Sequence, residues 1–91
     1  MITLPTPLTD WRCDLRAVDH AKNVARAYSV HIAGDLFGHW VVDLCWGRLG
    51  TSGTGVRVSF DDDGAARRFV ERVLARRASA PRRIGVPYRL N

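Results

Sequence analysis

The chain predicts an α+β domain: a twisted, mostly antiparallel sheet of four to five strands with one helix packed on one face. Three observations carry that expectation. Apolar and polar residues alternate with period two in four stretches between Trp11 and Phe60, the spacing that sends successive side chains to opposite faces of a strand. One stretch, Asp61 to Ala78, changes to helical spacing. The connections between the alternating stretches are short and polar or glycine-rich, which suits hairpins rather than parallel crossovers.

The elements follow in order. Residues 1–10 are expected to be a flexible arm, because Pro5 and Pro7 deny it a regular ladder. Residues 11–91 are expected to be a single domain. Trp11, Cys13, Leu15 and Ala17 alternate with Arg12, Asp14 and Arg16 as a first strand. Asp19 to Asn23 is a polar connection. Val24 to Ala33 is a second strand, with Val24, Tyr28, Val30 and Ile32 on one face and Arg26 interrupting it. An arginine there is either at the rim or functional. Ala33 to Gly38 is a hairpin loop bounded by turn residues. His39 to Trp46 is a third strand, with Trp40, Val42, Leu44 and Trp46 sharing a face. Val56, Val58 and Phe60 alternate with Arg57 and Ser59 as a fourth. Asp61-Asp62-Asp63-Gly64 opens the helix; carboxylates there satisfy orphan amides and complement the macrodipole, so the acidic run is a cap rather than a metal site. Ala66, Phe69, Val70, Val73 and Leu74 form its apolar stripe. Pro81 stops the helix, and Gly85 to Leu90 has room for a short last strand carrying Tyr88.

A chain of 91 residues is one domain at most. Burying roughly 60–65% of its unfolded surface, it can support one modest core without staples. The apolar and charged fractions, 46% and 25%, suit a soluble globular domain. Nothing approaches the roughly 18 apolar residues of a membrane span, and residues 1–10 do not resemble a secretion signal. The expected compartment is the cytoplasm, where Cys13 and Cys45 are two reduced, small hydrophobes.

The net charge of +5 is uneven. Up to Cys45, four Lys/Arg face five Asp/Glu, giving −1; from Trp46 on, ten Arg face four Asp/Glu, giving +6. Arginine without lysine favours planar anions and phosphates. Arg68, Arg72 and Arg76 recur every four residues, so they form one ridge on the helix. Like charges at that spacing repel by a few tenths of a kcal/mol per pair, a cost that becomes a gain against a polyanion. Arg77, Arg82 and Arg83 continue the charge.

Cys45-Trp46-Gly47-Arg48-Leu49-Gly50 concentrates three kinds of chemistry. Trp46 offers a flat ring, Gly47 and Gly50 allow a sharp turn or a close approach, and Arg48 offers a rigid fork of donors. Alternation puts Trp46 in the core; its place at a strand end lets a bulge turn it outward. Together with Asn23-x-x-Arg26-x-Tyr28, and with Asp35-Leu36-Phe37-Gly38 leading to Trp40, this segment resembles the WGR domain. That domain occurs in DNA-damage-responsive poly(ADP-ribose) polymerases and as small stand-alone bacterial proteins. The resemblance spans about three quarters of the chain, roughly Leu15 to Leu90. It implies that Trp46 packs at a DNA end and that Arg48 clamps a phosphate or contacts a protein. The chain departs from the family at Ala27, where an aromatic is usual, and in its closing segment, where arginines replace lysines.

Catalysis finds no support. No serine has a nucleophile-elbow setting. Gly50 to Gly55 lacks the lysine and the strand-to-helix setting of a phosphate loop. His31 and His39 flank one hairpin and, with Cys45, imitate a metal set, but they are expected to be ordinary half-exposed histidines. No cofactor and no metal are expected. The leading expectation is a non-catalytic module for nucleic acid, most naturally DNA with a preference for ends or breaks, using Trp46, Gly47, Arg48, Arg57, Arg68, Arg72 and Arg76. The alternative is a protein-interaction module in which Trp46 and Arg48 anchor an acidic partner.

Overall fold

A computed structural model describes residues 2–90. Five strands form one open antiparallel sheet in the order β4-β3-β2-β1-β5. They are β1 (Trp11–Asp19), β2 (Val24–Gly34), β3 (Trp40–Arg48), β4 (Thr54–Phe60) and β5 (Arg89–Leu90). The first four form a meander. Helix α1 (Asp63–Ala78) then leads to a single turn, α2 (Ala80–Arg83), and the chain returns to pair β5 with β1 at the far side of the sheet. This is the α+β architecture that the period-two and helical spacings predict. Among the described residues no helix is long and apolar enough to cross a membrane.

The core lies on one side of the sheet. Cys13 and Leu15 of β1, Tyr28, Val30 and Ile32 of β2, and Val42 and Leu44 of β3 face Ala66 and Val70 of α1. Each is where strand or helix periodicity puts it. Asp62 caps α1: its carboxylate accepts from the Gly64 amide at 2.9 Å, and Asp63 sits in the first turn near the positive end of the helix. At the other end Ser79 donates to the Arg76 carbonyl at 2.7 Å. Pro81 comes after that break, in the first turn of α2, where its fixed φ and missing N–H do no harm.

The N-terminal segment differs from the flexible arm that its prolines suggest. Residues 2–10 form no strand or helix, yet Leu4 and Leu8 are 5% and 6% exposed and belong to the core cluster. The Pro5 carbonyl accepts a hydrogen bond from Arg67 of α1. Prolines forbid a ladder but not packing; an irregular segment can cover a core edge if its apolar side chains point inward. Leu8→Ala is therefore expected to cost about 2–5 kcal/mol, as for other buried leucines. Urea unfolding measures this, and an unchanged midpoint would show that the segment adds nothing to stability.

The opposite face of the sheet carries no second layer. Its side chains pair with one another: Arg12 with Asp14 at 3.1 Å, and Arg57 with Asp43 at 2.7 Å. His31 lies beside Asp43 in register and reaches Asp10 at 3.0 Å. His39 sits at the turn, 3.4 Å from Asp35. The two histidines thus have separate carboxylate partners and do not face each other across the hairpin.

Candidate nucleic-acid interface

The two motif segments are cross-strand neighbours. In the register of β2 with β3, Trp46 lies opposite Tyr28 and Arg48 opposite Arg26. The Trp46 and Tyr28 rings stack with centroids 5.9 Å apart and planes 15° from parallel, within the usual range for offset aromatic pairs. Asn23, in the turn before β2, accepts from Arg48 Nη2 at 3.1 Å. Asn23, Arg26 and Tyr28 therefore each meet a part of Trp46-Gly47-Arg48 or stand directly across from it.

Trp46 resolves the choice between core and exposed in an unexpected way. Pairing along β3 is continuous from Trp40 to Arg48, so no bulge turns the ring outward. The ring stays on the core face, as alternation requires. It is nonetheless 37% exposed, because it lies at the margin of the helix cover. Its neighbour Tyr28 is buried under Arg77, whose guanidinium carbon lies 4.3 Å from the Tyr28 ring centre. Tyr88 meets Tyr28 edge-on at 6.4 Å and lies 5.9 Å from the same guanidinium.

Two glycines shape the loop behind this face. A Cβ on Gly47 would stand 2.8 Å from the Gly53 Cα, and one on Gly53 would stand 2.5 Å from the Trp46 carbonyl oxygen. Gly53 also has φ +71°, which side-chain-bearing residues adopt at a cost. The loop from Thr51 to Gly53 thus curls tightly against Trp46-Gly47. Gly47 is half-buried, and its lack of a side chain is what lets the loop pack against it.

Electrostatically this end of the sheet is one-sided. Arg26, Arg48, Arg77, Tyr88 and Trp46 line a cleft of about 360 Å³. Among the described residues, the ion pairs involve Arg12, Arg57, His31 and His39; none involves Arg26, Arg48, Arg77 or Arg83. Arg77 Nε is buried without a hydrogen-bond partner. Arg83 donates to the Arg76 carbonyl at 2.7 Å. Its guanidinium is held below the ordinary arginine value, by desolvation first and then by the positive charges of Arg76, Arg77 and Arg26. Burial pushes the Tyr28 hydroxyl up, with the Arg77 charge opposing it. Directly opposed like charges on adjacent strands cost about 0.2–1 kcal/mol per pair. The Arg26–Arg48 arrangement is therefore unfavourable until an anion arrives.

The residues singled out in the sequence divide among three places. Trp46, Gly47 and Arg48 line the cleft. Arg57 is on the opposite face, neutralised by Asp43. Arg68, Arg72 and Arg76 are exposed on α1, away from the stripe that packs on the sheet, and none of them lines the cleft. Asn23, Arg26, Arg77 and Tyr88 also line the cleft, beyond the residues expected to bind. For Arg77 a signal existed. It falls four residues after Val73 and seven after Val70, on the apolar stripe of the helix, so helical spacing alone aims it at the sheet.

An open, five-stranded sheet with one covering helix, and with stacked aromatics at one end beside arginines that have no carboxylate partner among the described residues, defines a small α+β domain. The sequence also matches the family model of the WGR domain over residues 11–80, and the chain belongs to that family. The match begins at Trp11, earlier than the motifs alone suggest, and ends before the closing segment with Tyr88. Neither the curated proteins nor the solved structures gave a match to the chain.

Proposed function

We propose that this domain is a non-catalytic nucleic-acid-binding module, that its ligand is DNA, and that it prefers ends or breaks. One observation carries the reading: a half-exposed tryptophan ring shares a cleft with arginines that have no carboxylate partner among the described residues. A ring in that position suits stacking on a base or sugar that has lost its neighbour, which happens at a strand end. Arginine forks beside it suit phosphate oxygens. Membership of the WGR family is consistent with this reading. The supporting set is Trp46, Arg48, Arg26 and Arg77; the helix ridge is a secondary track for backbone phosphates.

The test compares one short duplex with open 5′-phosphorylated ends and the same duplex closed by hairpin caps, by fluorescence anisotropy over a salt series. The open form is expected to bind tighter, and Trp46→Ala is expected to abolish the difference while keeping most of the salt dependence. A stacked base or sugar is worth about 1–3 kcal/mol, so the open form gains on the order of tenfold or more. Equal, steeply salt-dependent binding to both forms would reduce the reading to a basic protein on a polyanion. Absence of binding near physiological salt would shift the cleft to an acidic protein partner.

A further inference from the structure

The β2–β3 hairpin ends in Leu36 and Phe37, which are 98% and 82% exposed. The turn that presents them is stiff. Asp35 Oδ1 accepts from the amides of Phe37 and His39 at 2.8 and 2.9 Å, and the Asp35 amide donates to the His39 carbonyl at 2.9 Å. Two adjacent large apolar side chains on an ordered turn add nothing to the core. They are, however, preorganised for insertion, because little ordering entropy remains to be lost. The surroundings select the partner. No Lys or Arg occurs between Ala27 and Gly47, and Asp35 sits at the tip itself, so a polyanion or an anionic membrane is disfavoured. The fitting partner is an apolar groove with positive charge on its rim.

The same chain offers such a groove elsewhere. Between the N-terminal segment and α1 lies an open groove of about 460 Å³, with Ile2, Leu4, Leu74 and Tyr88 among its walls. Arg67 and Arg77 outnumber Glu71 on its lining, which complements the Asp35 carboxylate. We propose that the domain self-associates head to tail, the Leu36–Phe37 tip of one copy seating in the groove of a second copy. Tip and groove are different surfaces, so the contact is heterologous, leaving a free tip at one end and a free groove at the other. An inserted tip buries less than the roughly 1,200 Å² of a stable interface, so association belongs in the high-micromolar range.

Sedimentation equilibrium of the full chain, from micromolar to millimolar protein, tests this. The wild-type mass average is expected to rise with concentration. Leu36→Ser with Phe37→Ser removes the tip, and Ala75→Glu places a carboxylate in the groove at an exposed helix position; each variant alone is expected to stay monomeric. Mixed in equal amounts, they are expected to form a pair and go no further, since one keeps a groove and the other a tip. That pair would itself show that both variants are folded. The proposal is overturned by a monomeric wild type at all concentrations, by a tipless variant that associates like wild type, or by a mixture that stays monomeric while both variants keep wild-type circular dichroism and melting.

Discussion

Arg26→Ala combined with Arg48→Ala is expected to weaken duplex binding on the order of a hundredfold at physiological salt, and to leave stability nearly unchanged. Both expectations come from the same geometry. A charge-assisted hydrogen bond to phosphate contributes about 1.5 kcal/mol or more, so losing two approaches 3 kcal/mol, or two powers of ten. In the free protein Arg26 and Arg48 stand opposite each other in the β2–β3 register, so removing the two charges relieves a few tenths of a kcal/mol of repulsion, against which stands the exposed Arg48–Asn23 hydrogen bond that is lost. Each phosphate contact also releases a counterion, so the slope of log affinity against log salt should shrink by about 2. The Arg68, Arg72 and Arg76 triple variant is the comparison. If the ridge is the main track, its slope falls by nearly 3 and the cleft variant's hardly moves. A cleft variant with the wild-type slope would remove Arg26 and Arg48 from the site.

Gly53→Val is expected to have the largest effect on stability among the loop substitutions. The residue combines two costs. Its φ of +71° lies in the left-handed region, which a β-branched residue almost never adopts. Its Cβ would stand 2.5 Å from the Trp46 carbonyl oxygen, so the backbone on one side or the other must move. Together these should cost about 3 kcal/mol. For a domain of this size that lowers Tm by more than about 10 °C. Urea unfolding should show a lower midpoint with an unchanged slope. A variant that melts within a degree or two of its parent would mean that the loop does not press on Trp46. Because the moving backbone carries Trp46 and Gly47, the substitution should also weaken open-end binding at temperatures where the variant is still folded.

Much of this fold was legible because its elements are locally consistent. Alternation fixed the sidedness of Leu15, Val30, Ile32, Val42 and Leu44, and helical spacing picked out Ala66 and Val70. Alternation was right about the side of Trp46 as well; its exposure depends on where the helix cover ends, a tertiary fact. That Arg57 is already paired is hidden from the sequence for a similar reason. Its partner Asp43 lies across a strand pair, and strand register is absent from a one-dimensional pattern. The N-terminal segment escaped because prolines report on backbone hydrogen bonding and not on where Leu4 and Leu8 pack. Arg77 is legible in the sequence: its charge marks it for an anion, and its position on the apolar stripe aims it at the sheet. The helix ridge is where spacing put it, but spacing does not say which end of the sheet the ridge adjoins.

The pairing of β5 with β1 has a consequence for the order of assembly. Leu15 and Leu90 stand side by side in the sheet although they lie near opposite ends of the chain. Strands β1 to β4 close through short neighbouring loops, whereas β5 must wait for a loop that includes the whole helix, and such long-range closures are slow. Tyr88 directly precedes β5, and Arg77 lies in the last turn of α1. The cleft is thus finished by a segment that follows the helix in sequence. A nascent or clipped chain that ends near residue 80 would hold the four-stranded meander and the Trp46–Tyr28 stack without Tyr88. Completion of the cleft therefore depends on the segment that follows α1, which joins a sheet already mostly in place.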